Sequence, residues 1–180
     1  MLTRFVVTTV LVLGISANAF AKERENLQIF RDVSNQVLRY TQFTIFDSVH
    51  ANVDNGIVTL TGKVTMPYKK DDIGKRVARV DGVREVQNKI EVLPVSIYDD
   101  ELRYRIARAI YRNSAFFNYA AMANPPIHII VDRGRVTLEG VVNSNVERML
   151  ARSIASSFLA FSVTNNLKTD AEMKAELEKM

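Results

Sequence analysis

The chain has 180 residues, with 24 Lys+Arg against 20 Asp+Glu and a formal net charge of +4. Without a single Cys it forms no disulfide scaffold, thiolate zinc site or thiol nucleophile. Seven Gly and four Pro are too few for a collagen-like chain, and an apolar fraction of 47% is too high for a disordered one.

Residues 1–21, MLTRFVVTTVLVLGISANAFA, come first. Arg4 is their one charge, Phe5 to Ile15 is largely apolar, and Ala19-Phe20-Ala21 places small residues at the positions a signal peptidase reads. That order predicts a cleavable signal peptide, cut after Ala21 or after Ala19. The apolar run is about half the ~20 residues a membrane span needs, and no Cys stands at the cleavage point to carry a lipid anchor. The expected product is a bacterial periplasmic protein without an anchor.

The remainder contains one pattern twice. Residues 49–64 read VHANVDNGIVTLTGKV and residues 127–142 read IHIIVDRGRVTLEGVV, with nine identities in sixteen ungapped positions. A second match pairs VQNKI (86–90) with VTNNL (163–167). Two tandem modules follow from this self-similarity. Each begins with an amphipathic helix, marked by Phe30, Val33, Val37 and Tyr40 in the first and by Leu102, Ile106, Ala109 and Ile110 in the second. A hairpin follows, with Asp54-Asn55-Gly56 a strong turn signal and Asp132-Arg133-Gly134 a weaker one. A second helix presents Ile73, Val77 and Val80, or Val146, Leu150 and Ile154, and Ser144 and Glu147 have capping-box spacing. A last strand closes each unit. The fold class is therefore α+β, two tandem αββαβ modules, each a three-stranded mixed sheet with two helices on one face. The expected boundaries are 1–21 signal peptide, 28–93 module 1, 97–168 module 2 and 169–180 a polar tail, a short helix or a frayed end. Ile130 and Val141 stand in module 2 where module 1 has Asn52 and Lys63, so the outer sheet face of module 2 is the expected interface between modules.

The strand pattern V-x-N/R-G, then V-T-L-x-G-x-V, a helix and a final V-x-N-x-I/L resembles the BON domain family. Gly56 and Gly134, Gly62 and Gly140, and Asn88 and Asn165 stand where that pattern asks, as does Asp81-Gly82-Val83-Arg84-Glu85-Val86. Module 2 departs from it, because Phe158-Leu159-Ala160-Phe161-Ser162-Val163 has no Gly. Module 2 also carries five more residues between its first helix and its hairpin. The resemblance covers roughly residues 28–168, and the layout looks like the osmotically inducible periplasmic proteins and the related outer-membrane lipoproteins with two such domains. It implies a non-enzymatic envelope protein that contacts phospholipid or a membrane surface and supports envelope integrity under stress. A protein–protein adaptor in the envelope is the alternative.

The candidate binding residues lie in 103–126. Arg105, Arg108 and Arg112 share a helix face, Arg103 extends its basic character, and Phe116, Phe117 and Tyr119 follow with Met122. Arginines attract anionic head groups and aromatics insert at the interface, so this region is the expected contact with an anionic phospholipid surface or an envelope protein. The bland reading makes the arginines a solvated face and the aromatics core or inter-module packing. His50 and His128 occupy equivalent strand positions; they are either a paired metal or pH-sensing site or one solvent-facing residue inherited twice. No catalytic residue, metal site or cofactor is expected, since no nucleophile elbow, P-loop or zinc-protease motif occurs. Asp71-Asp72 and Asp99-Asp100-Glu101 are accounted for by the dipole of the helix each begins. Nucleic acid is not an expected partner: residues 22–93 carry 12 basic and 10 acidic groups and residues 94–180 carry 11 and 10.

Overall fold

A computed structural model describes the backbone of residues 15–178 and the side-chain environments of residues 26–178. The first fourteen residues of the expected signal peptide lie outside the described residues, and Ile15 to Ala21 fall within the first helix, outside the described side chains.

Module 1 is built from α1 (Ile15–Leu38), β1 (Ser48–Asp54), β2 (Ile57–Val64), α2 (Pro67–Val77), β3 (Glu85–Asn88) and β4 (Glu91–Val92). Strand β2 is central: it pairs antiparallel with β1 and parallel with β3 and β4. The last two are one edge strand interrupted at Lys89-Ile90, so the sheet has four strand segments in three positions. Module 2 repeats the plan with α3 (Ile97–Tyr111), a 3-10 turn (Ser114–Phe116), α4 (Phe117–Ala120), β5 (Ile127–Asp132), β6 (Arg135–Val142), α5 (Asn145–Ser156) and β7 (Ser162–Thr169). Its third strand is unbroken, and β6 is central in the order β5-β6-β7. The chain is thus α+β, with two modules whose sheets are mixed. Among the described residues no helix is long and apolar enough to cross a membrane.

Each module buries its own core. Val33, Val37, Val58, Leu60, Ile73 and Val77 meet in the first, and Ile106, Ile110, Ile129, Val136, Leu138 and Ala151 in the second. The repeated motifs are explained by what their residues touch. Gly62 and Gly140 take φ of +116° and +118°, and a Cβ there would enter the backbone of Ser48 on β1 and of Pro126 just before β5. Asn88 donates to the Lys70 carbonyl (2.8 Å) and accepts from the Ile90 amide (3.2 Å). Asn165 does the same with Arg148 (2.8 Å) and Leu167 (3.3 Å). In both modules the Asn ties the second helix to the last strand.

The second helix of module 2 is turned from its expected face. Ala151 and Ala155 carry the buried contact, Leu150 and Ile154 are half-buried, and Val146 is exposed. The capping box is only half formed. The Ser144 hydroxyl accepts from the Glu147 amide (3.3 Å), but the Glu147 carboxylate accepts from the Asn143 amide (2.9 Å). A complete box stands at Thr169 and Glu172 and starts α6 (Asp170–Leu177), which Arg148–Glu172 (2.9 Å) ties to α5.

The modules meet through the outer faces of their sheets. Ile130 is buried, Lys63 pairs with Asp132 (2.5 Å), and His50 pairs with Glu139 (2.9 Å). The Ile129 amide donates to the Ile45 carbonyl (2.7 Å), so the segment before β1 runs along the free edge of β5. Asp47, on that segment, is fully buried. It accepts from the Thr44 and Thr65 amides (2.8 Å each) and from Lys69 (2.6 Å). Burial alone would raise its pKa, but the hydrogen bonds from Lys69, Thr65 and Thr44 hold it below the usual carboxylate value.

Candidate functional site

Helix α3 forms where Ser96 caps its first turn, accepting from the Asp99 amide (3.2 Å). Its buried stripe is Leu102, Ile106, Ala107 and Ile110, which leaves Arg105, Arg108 and Arg112 on the exposed side. Arg105 lies 3.7 Å from Glu101 and holds its guanidinium 5.4 Å from the Phe158 ring centroid. Arg108 and Arg112 close the helix, where positive charge also suits the helix dipole. Phe117 stands beyond that end and is 71% exposed.

Three neighbours of these residues do not belong to the surface. Phe116 is fully buried and Tyr119 nearly so, with ring centroids 6.1 Å apart. The extra residues of module 2 fold into the 3-10 turn and α4 and press both rings into the core. Tyr119 also donates to Glu147 (2.7 Å) and accepts from the Asn143 amide (2.9 Å); burial and then the Glu147 bond push its pKa to about 12. Phe116 and Tyr119 are therefore core residues, unavailable for contact with a lipid or a partner. Arg103 does not extend the basic face: it is buried, donating to the Val131 carbonyl (3.2 Å) and pairing with Asp100 (3.1 Å).

Asp99 does more than begin a helix. Its carboxylate accepts from the amides of Arg133 and Gly134 at 2.8 Å each. Those residues form the β5–β6 turn, with φ of +51° and +74°. Asn55 and Gly56 adopt the same left-handed pair in module 1, φ +51° and +78°. Asn adopts that conformation at lower cost than Arg, so the buried Asp99 clamp offsets the strain of Arg at the first position of the turn.

The two histidines are not equivalent. His50 is exposed, and the Glu139 carboxylate raises its pKa. His128 is half-buried; its Nδ1 is 2.6 Å from the Asp47 carbonyl and its ring centroid 5.5 Å from that of Phe43, and burial lowers its pKa. Phe46, the other aromatic of this segment, stacks edge-on to Tyr104 at 4.8 Å. Both histidines serve the junction between modules. Among the described residues no three His, Cys, Asp or Glu side chains gather as a metal set. A polar cleft of about 520 Å³ opens between the sheets around Lys63, Asp132, Thr137 and Glu139. An apolar groove of about 770 Å³ runs between α1 and α6, past Phe30, Val37, Phe43, Met173 and Leu177.

A second exposed region had only one sequence signal, the missing Gly of the α5–β7 turn. Leu159 and Phe161 are 90% and 83% exposed there, and Ile97, at the start of α3, is 87% exposed. The Tyr98 hydroxyl donates to the Leu159 carbonyl, which brings the two segments together.

A repeated α-β-β-α-β unit, two copies docked by the outer faces of their sheets, defines a protein built from one duplicated small α+β module. The BON domain model matches residues 29–94 and again residues 99–171, and the chain belongs to the BON domain family. No curated protein matches it. Among solved structures it is similar to CdsD, a structural protein of the type III secretion system of Chlamydia trachomatis. The identity is 13%, over 84% of this chain and 97% of that one, at a TM-score of 0.28. The C-terminal domain of CdsD matches at 12% identity, over 76% of this chain and 94% of that one, at a TM-score of 0.27. Likenesses this distant carry no weight for the fold or for the role.

Proposed function

We propose that this is a non-enzymatic periplasmic protein that binds anionic phospholipid at a membrane surface and supports envelope integrity under stress. The observation that carries the reading is the exposed basic face of α3, with Arg105, Arg108 and Arg112 in one row and Phe117 exposed beyond its end. Such a face attracts head groups, and an aromatic beside it inserts among them. Membership in a family associated with membrane surfaces supports the same reading, as does a sequence that begins like an exported one. A contact made through this charged face is sensitive to salt.

Sedimentation of the mature protein with vesicles containing phosphatidylglycerol tests this. Binding is expected at low salt, and Arg105→Glu, Arg108→Glu and Arg112→Glu together are expected to abolish it. Equal binding by the triple variant overturns the reading. A photo-cross-linker at Phe117 separates it from the adaptor alternative, according to whether lipid or protein is captured in the envelope.

A further inference from the structure

Repeated modules allow a comparison within one chain. The turn between the second helix and the last strand is Asp81-Gly82-Val83-Arg84 in module 1 and Phe158-Leu159-Ala160-Phe161 in module 2. Both perform the same backbone task. The Arg84 amide donates to the Gly56 carbonyl and the Phe161 amide to the Gly134 carbonyl, each at 2.8 Å. The fold therefore does not require large apolar residues at the positions of Leu159 and Phe161, where module 1 has Gly82 and Arg84.

Phe158 packs inward against the core, but Leu159 and Phe161 project into solvent, with Ile97 and Tyr98 exposed on the adjoining segment. Large apolar side chains gathered in this way mark an interaction site rather than scattered surface. Arginines stand on either side of the turn. Arg105 lies over Phe158, and Arg133 and Arg135, at the rim of the cleft between the sheets, flank Gly134, whose hairpin end Phe161 lies against. Neither Arg133 nor Arg135 is ion-paired among the described residues. Asp99, an acid close to this turn, is buried and occupied by the turn amides; Glu101 pairs with Arg105.

We infer that the Phe158–Phe161 turn, with Ile97 and Tyr98, is an insertion element that enters the interfacial layer of an anionic membrane while Arg105, Arg133 and Arg135 hold its phosphate groups. Leu and Phe supply the burial that an arginine face alone lacks, and the guanidinium groups match phosphate as bidentate donors. The inference rests on the phospholipid reading above and adds which part of module 2 enters the lipid. The basic face of α3 attracts the surface from a distance, and the turn makes the contact that burial holds.

The chain has no Trp, so a single introduced Trp reports on its own site. Leu159→Trp in the full mature chain is expected to shift its emission to the blue on addition of phosphatidylglycerol vesicles. Tyr68→Trp, exposed on α2 of module 1, is expected not to shift. Leu159→Ser with Phe161→Ser is expected to lower vesicle affinity by about tenfold or more without changing the thermal unfolding of the protein, because both side chains are solvent-exposed. If the unsubstituted protein sediments with vesicles and the double serine variant does so equally, the insertion element is overturned and the phospholipid reading stands. If the unsubstituted protein does not bind at all, both fall. An unshifted Leu159→Trp on bound protein also overturns the insertion element.

Discussion

Two modules sharing nine identical residues in one sixteen-residue stretch show what each remaining difference requires. Arg133 occupies a left-handed position that Asn55 fills in the other copy, and Asp99 makes that tolerable by holding both turn amides. A charged acceptor bonded to two amides, itself buried, is costly to remove. Asp99→Ala is expected to destabilise the protein by about 3 kcal/mol, read as a lower urea midpoint. Adding Arg133→Asn is expected to return about 0.5–1 kcal/mol of that. A loss no larger than that of an exposed substitution would show that the clamp contributes nothing. A similar divergence lies at the start of the second helix. Asp47, itself paired with Lys69, accepts from the Thr65 amide in module 1; Glu147 and Tyr119 accept from the corresponding Asn143 amide in module 2. The same orphan donor has acquired two unrelated partners.

At the scale of elements, the extra segment of module 2 separates residues that are adjacent in sequence into core and surface. Phe116→Ala removes a fully buried ring and is expected to cost about 3–5 kcal/mol, while the protein that remains folded binds vesicles as before. Phe117→Ser is expected to leave the melting temperature unchanged and to weaken vesicle binding. Reversed outcomes would return Phe116 to the surface. The element order and the two sheets were legible in the sequence because β-branched alternation, two turn signals and the duplication agree. Burial of Phe116 and Tyr119 was not legible, because spacing does not say whether an inserted segment covers the core or leaves it. The turning of α5 was hidden for another reason: its contact is made by Ala151 and Ala155, whose small side chains give a weak periodic signal beside Val146. Arg103 was misplaced because helical spacing does not reveal that an arginine bends under its helix to the Val131 carbonyl. Of the candidate residues, Arg105, Arg108 and Arg112 lie on the exposed helix face that spacing gave them and Phe117, whose exposure the sequence left open, is exposed, while Leu159 and Phe161 were visible only as a missing glycine.

At the scale of the whole molecule, the junction between modules contains two histidines with opposite pH dependences. The His128 pKa is lowered by burial. As pH falls below about 6.5, a released or unfolded ring takes up a proton that the docked ring resists, so stability is lost on the acid side through that window. His50 is raised by its hydrogen bond to Glu139. Its contribution is complete below about 6.5 and is lost as pH rises through the raised value. Glu139, lowered by the His50 bond against the effect of burial, contributes above its ordinary carboxylate value and loses that contribution only as pH falls through its depressed one. The junction is therefore firmest near neutral pH and weakens in both directions. His128→Gln is expected to flatten the acid limb of a melting-temperature profile recorded between about pH 5 and pH 9, leaving the alkaline limb in place. His50→Gln is expected to flatten the alkaline limb and leave the acid one. Profiles unchanged in both variants would mean that the histidines do not govern docking. The insertion turn lies within module 2 and its thermal contribution is small, so vesicle binding and junction stability are expected to vary independently: Leu159→Ser with Phe161→Ser changes the first, and the histidine variants change the second.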